Sequence, residues 1–385
     1  MNSARLYLDH NAGAPLRPEV AAAMAAALAV TGNPSSVHAE GRQARALVER
    51  ARAQVAGLVG TSPENVIFTS GGTEANNLGL VAGRREGEQV RLLVSSTEHP
   101  AVLAGGGLAG TVVEQLAVDG AGTVSLDDLE AKLASGSGLA NTVAIQLANN
   151  ETGLVQPVRA AAELARRYGA RMHSDAVQAA GRLPLDLRAL GVDSLALSAH
   201  KLGGPMGVGA LVLAEGREVG TRLIAGGGQE RGRRGGTENV AGIVGFGLAA
   251  EIAARDLAAE AERLGTLRTA LEERIRQIAP AVIFAGQAER LPNTVCFACP
   301  GLKAETALIA LDLEGVAVSS GAACSSGKVR RSHVLEAMGV EPALAESAIR
   351  VSFGWSSVEA DVACFAGALE KVLKRLYQRR IEQAA

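Results

Sequence analysis

The sequence predicts an α/β fold: a mainly parallel sheet of seven strands covered by helices on both faces, followed by a smaller α/β unit. Short runs rich in β-branched residues alternate with helix-length segments from about residue 65 to residue 213, which is the rhythm of βα crossovers. The residues just after these runs are unusually polar, as expected where strand ends open on a ligand crevice. At 385 residues, 48% of them hydrophobic, the chain is long enough for roughly two domains and a large buried core.

After a short extended start at Leu6, Tyr7 and Leu8, residues 19–30 read as an alanine-rich helix stopped by Thr31, Gly32, Asn33 and Pro34. A second helix is expected over 41–59. Strands are expected over 65–69, 90–95, 112–116, 142–147, 171–174, 194–198 and 208–213. From residue 237 to 278 the pattern is helical, with a break expected near Gly265. The remainder predicts a strand over 293–298, a helix over 303–314, a short strand over 316–319, a glycine and cysteine turn, and a helix over 357–380. This places a large domain at 15–260 and a small one at 1–14 together with 261–385.

The formal charge of −2 offers no basic field for nucleic acid and no charged tail for a polyionic partner. Apolar runs such as 240–250 fall short of the roughly 20 residues a membrane helix needs. Without a charged-then-apolar leader at the start, a cytoplasmic location is expected. Four cysteines in a chain of this length do not make a disulfide framework. Cys296 and Cys299 fall on opposite faces of one predicted strand and no second pair follows, so no metal site is expected. Cys364 falls in an apolar helical stretch and is expected in the core.

The strand ends supply the chemistry. Lys201 sits in Ser198, Ala199, His200, Lys201, Leu202, Gly203, Gly204, an amine on a glycine-rich turn with hydroxyl and imidazole beside it, as a Schiff-base nucleophile requires. Gly71, Gly72 and Thr73 lie between a strand and a helix, where amides and a hydroxyl can hold a phosphate. Asp175 can keep a pyridine nitrogen protonated, His99 can stack on such a ring or move protons, and Asn150 and Gln178 can donate to a ring hydroxyl. Arg350 suits a bidentate pair with a substrate carboxylate, and the glycine turn before Thr237 offers further phosphate donors. Cys324 lies in a small-residue segment, 319–328, near Lys328, Arg330 and Arg331, a setting that favours thiolate. Taken singly, each residue also suits an ordinary turn, cap or ion pair.

Together these residues give the chain a resemblance to the cysteine desulfurases of the NifS and IscS type, in the pyridoxal-phosphate-dependent class V aminotransferase group. The motifs that carry it are NPSSVHAEGRQAR at 33–45, FTSGGTEANN at 68–77, TEHPAV at 97–102, NNETGLVQ at 149–156, HSDAVQ at 173–178, SAHKLGGP at 198–205, and the segments 228–239 and 319–326. The resemblance implies fold type I and pyridoxal 5'-phosphate on Lys201, with Asp175 on the ring nitrogen, His99 stacked on the ring and Gln178 at its hydroxyl. It further implies Gly72, Thr73, Ser198 and His200 at the phosphate, with Thr237 reaching in from the partner of a homodimer. Asn150 and Arg350 would bind the carboxylate of L-cysteine, and Cys324 would accept its sulfur as a persulfide, leaving alanine. A sulfur-acceptor protein, for iron–sulfur cluster assembly or thiolation, is the implied partner. A selenocysteine lyase or another class V lyase or transaminase is the nearest alternative, and a non-catalytic sulfur-transfer scaffold that keeps the fold is the other. Two stretches depart from the pattern: Gly13 and Ala14 stand where threonines are common, and Val329, Arg330 and Arg331 replace a more acidic, proline-containing stretch.

Overall fold

The computed structural model describes residues 5–84, 88–107, 110–136, 139–320 and 331–384. Among the described residues the strands are β1 (Leu6–Tyr7), β2 (Val66–Thr69), β3 (Val90–Ser95), β4 (Thr111–Leu116), β5 (Ala140–Ala144), β6 (Arg171–Asp175), β7 (Ser194–Ser198), β8 (Gly209–Leu213), β9 (Val282–Ile283), β10 (Thr294–Ala298), β11 (Val316–Ala317) and β12 (Ala348–Ser352). The seven strands expected between residues 65 and 213 form one sheet in the order β2-β8-β7-β6-β5-β3-β4. Only β8 runs against the others. The carboxyl ends of β2, β3, β5, β6 and β7 therefore open on one edge of the sheet.

Helices bury both faces of this sheet, so β2, β3, β7 and β8 are buried at every position, as continuous apolar runs require. The edge strand β4 instead exposes Val112 and Val113. The expected strand at 142–147 ends as a regular strand at Ala144. Beyond it Ile145 and Leu147 still donate to His173 and Asp175 carbonyls at 3.2 and 2.8 Å. That extension aligns the loop after β5 with the end of β6.

Two large hydrophobic clusters lie along the chain. One gathers around the seven-stranded sheet, with Phe68, Leu93, Ile145, Leu195 and Phe246. The other joins Leu8 to Leu264, Leu271, Phe297, Phe353, Phe365 and Leu369, around the antiparallel trio β12-β10-β9 and the parallel pair β1-β11. A single helix, Val240–Ile278, links them. Its Ile243, Phe246 and Ala250 belong to the first cluster, and its Leu264, Leu267 and Leu271 to the second.

Two expectations fail here. The helix is not broken near Gly265. A glycine inside a helix costs only about 1 kcal/mol relative to alanine, and the buried leucines on either side of it outweigh that cost. Cys364 is exposed rather than in the core. The buried stripe of its helix runs through Val362, Phe365, Leu369, Val372 and Leu373, and residue 364 turns away from it at helical period. Cys296 and Cys299 are both buried, and they pack into different clusters on opposite sides of β10. Among the described residues no helix is long and apolar enough to cross a membrane.

Candidate active site

A cavity of about 560 Å³ opens at the carboxyl edge of the large sheet. Gly72, Thr73, His99, Asn150, Asp175, Gln178, Ser198, His200, Lys201 and Arg350 all line it, so ten of the expected residues, from six segments of chain, share one space. The second cluster's side closes the cavity with Leu308, Val318, Ser319 and Ser320. Thr237 is exposed in the loop before the long helix and is not part of this lining within its own chain. Cys324 lies outside the described residues.

After β2 the chain turns into the helix Gly72–Val81. A Cβ on Gly72 would meet Val177 Cγ2 at 2.8 Å and Ser198 Cβ at 3.4 Å, so only glycine lets this helix start approach the ends of β6 and β7. Ser198 Oγ lies 2.8 Å from His200 Nδ1. Burial, with Lys201 beside it, pulls His200 down to about 4, so the ring is neutral. Hydroxyls, imidazole and the amides of a helix start thus gather at one end of the cavity.

At the end of β6, Asp175 is held on both oxygens. Oδ2 accepts from Asn76 Nδ2 at 2.6 Å and Oδ1 from the Val177 amide at 2.9 Å. Asn76 Oδ1 lies 2.9 Å from His173 Nε2, and His173 Nδ1 lies 2.8 Å from Ser194 Oγ. Burial lowers His173 to about 3, so the ring is neutral. With Nε2 protonated it donates to Asn76, which fixes the Asn76 amide with its nitrogen toward Asp175. Burial also raises the Asp175 carboxyl above its usual range, against the pull of the Val177 amide, His99, Asn76 and Lys201.

His99 caps the short helix Pro100–Leu103, its Nδ1 accepting from the Ala101 amide at 3.1 Å. In the neutral ring the proton is therefore on Nε2, and burial lowers the pKa of His99. Lys201 follows β7, and its Nζ donates to the carbonyls of Asn11 and, at 2.8 Å, Ala12. Burial first, then the charges of Arg182 and Arg350, lower Lys201 to about 7. An amine in that range is half free base at neutral pH.

Arg350, in the middle of β12, pairs with Asp9 Oδ1 at 2.7 Å and donates to the Asn150 carbonyl at 2.9 Å. Its Nε is buried and has no hydrogen-bond partner among the described residues. Sequence reading missed Asp9, Asn11, Asn76, His173 and Arg182 as parts of this arrangement. Asn76 and His173 stand inside motifs already noted, but what they bond lies far away in the chain.

A sequence profile described as Aminotransferase class-V matches residues 6–365. The chain is 40% identical over 378 residues to a protein of Dictyoglomus turgidum named "Cysteine desulfurase IscS", covering 96% of this chain and 95% of that one. A solved NifS-like protein from Rickettsia africae superposes with a TM-score of 0.88 at 34% identity, covering 96% and 99% of the two chains. Another, titled "SspA in complex with cysteine", does so with a TM-score of 0.79 at 30% identity, covering 92% and 100%.

Proposed function

The chain belongs to the class-V aminotransferase family and is a pyridoxal-phosphate-dependent cysteine desulfurase; we propose that Lys201 is its cofactor-bearing amine and Cys324 the thiol that receives sulfur. The observation that carries this reading is the convergence of Lys201 and Asp175 on one cavity, amine and carboxylate from the ends of neighbouring parallel strands. The residues fit the cofactor. The space at Gly72 that a Cβ would fill lies beside Thr73, Ser198 and His200 as phosphate partners, and Asp175 is a doubly anchored acceptor for a protonated ring nitrogen. When bound, pyridoxal phosphate supplies an electron sink that acidifies the α C–H bond of an amino acid.

The remaining work falls to the protein. His99 would cover the ring face and Gln178 would donate to the ring hydroxyl. Arg350, held by Asp9, and Asn150 orient the substrate carboxylate. Lys201 Nζ takes the α proton as a free base and returns a proton later. The Cys324 thiolate attacks the substrate sulfur: a new S–S bond forms as the C–S bond breaks, and the carbon gains a proton. In balance, L-cysteine and the Cys324 thiol become L-alanine and a Cys324 persulfide.

Thr237, exposed on its own protomer, completes the phosphate site of a second protomer in a homodimer. Residues 15–260 form the cofactor-binding domain and 1–14 with 261–385 the domain that carries Cys324, a division supported by the two cores. The enzyme works in the cytoplasm and hands its sulfur to an acceptor protein of iron–sulfur cluster assembly or thiolation. The test is alanine and persulfide formation from L-cysteine, with and without Cys324→Ala. The substitution is expected to leave the visible absorption of the bound cofactor intact and to abolish the persulfide. Unchanged turnover would remove Cys324 from the mechanism.

A further inference from the structure

One buried cation near the cavity has no part in the reaction above. Arg182 is 6% exposed, and its side-chain hydrogen bonds go to Gln178, from Nη1 to the backbone carbonyl at 2.8 Å and to Oε1 at 2.5 Å. No carboxylate forms an ion pair with it among the described residues. Burial, with Arg350 nearby, pulls Arg182 down to about 9, a sign of how unfavourable the site is for charge. Burying a charge that has no ion-pair partner costs free energy. Stability alone therefore gives no reason for arginine here.

The hydrogen bonds suggest another reason. Arginine only donates, so Gln178 must turn Oε1 toward Arg182 and its NH2 group away. That group donates to the Asn11 carbonyl at 3.0 Å. The same carbonyl accepts from Lys201 Nζ. Arg182, Gln178, Asn11 and Lys201 thus form one connected set, and Arg182 and Lys201 also border a narrow cavity of about 40 Å³ together with His10, Asp256 and Glu260. The other charges that bear on Lys201 are Arg350, Asp9 and Asp175.

We propose that Arg182 is a positioning residue: it locks the Gln178 amide with its donor end toward Asn11 and the main cavity, and its buried charge disfavours a second cation at Lys201. The inference rests on Lys201 as the reactive amine and adds the residue that poises it.

The experiment uses the full chain stripped of cofactor and follows the pH dependence of dinitrofluorobenzene labelling at Lys201 by peptide mass spectrometry. Wild type is expected to label with a midpoint near 7. In Arg182→Met and Arg182→Gln the midpoint is expected to rise by about one pH unit, so that labelling at pH 7 falls about fivefold. Both variants are expected to fold, with a single cooperative melting transition. A midpoint within about 0.3 unit of wild type in the folded variants would overturn the proposal, and so would failure of both to fold. The labelling reads the proton on Lys201 whether or not that lysine carries the cofactor. Loss of cofactor absorption in Lys201→Ala tests that separate reading.

Discussion

Asp175 and Lys201 line the same cavity, and burial drives both toward their neutral forms, raising the carboxyl and lowering the amine. They are held differently. Asp175 is fixed by a run of neutral groups, Ser194, His173 and Asn76, which ends in one donor on Oδ2, and by the Val177 amide on Oδ1. Lys201 rests on two carbonyls, and its proton is governed by nearby charge, with Arg182 and Arg350 opposed by Asp9 and Asp175. One pole is set by hydrogen-bond geometry and keeps a charge in place. The other is set by electrostatics and leaves a proton free to move.

The largest effect is expected at the mobile pole. Lys201→Ala removes the amine outright, and alanine release from L-cysteine is predicted to fall at least about a thousandfold. A loss of less than tenfold would break the contrast, because another base would then be moving the proton.

At the fixed pole, Asn76→Ala leaves Asp175 Oδ2 without its donor while the Val177 amide remains. A hydrogen bond to a charged group contributes about 1.5–3 kcal/mol, so kcat is predicted to fall roughly 10- to 100-fold. The Asp175 carboxyl, already raised by burial, rises further when a stabilising donor is lost. The acid limb of the pH profile is therefore expected to move to higher pH. An unmoved limb would mean that Asn76 does not hold the carboxylate.

The smallest effect concerns pH alone. Lys201 is an ammonium below its midpoint of about 7 and a nucleophile above it. Uptake of pyridoxal phosphate by the stripped protein is predicted to speed up roughly tenfold between pH 6 and pH 8 and then level off. A rate still climbing toward pH 10 would indicate a lysine with an ordinary affinity for its proton.

The fixed pole was the harder one to read from sequence. Asp175, Lys201 and His99 announce themselves as polar residues directly after apolar runs, and the strand rhythm alone puts them on one edge. Asn76 reaches Asp175 across 99 positions of chain, and His173 reaches Asn76 across 97. A lone asparagine on a helix and a lone histidine within a strand carry no local pattern that pairs them. Arg182 was silent for a related reason, since a surface arginine and a buried one look alike in sequence. The helix through Gly265 and the exposed Cys364 show the same limit from the other side: local composition favoured a break and a buried thiol, and packing decided both.

The role of Lys201 is tested most directly by reducing the purified, cofactor-loaded protein with borohydride and mapping the trapped pyridoxyl group by peptide mass spectrometry. The group is expected on the peptide that contains Lys201 and on no other. A pyridoxyl group on Lys132, Lys303, Lys328, Lys371 or Lys374, or on none of the lysines, would contradict it.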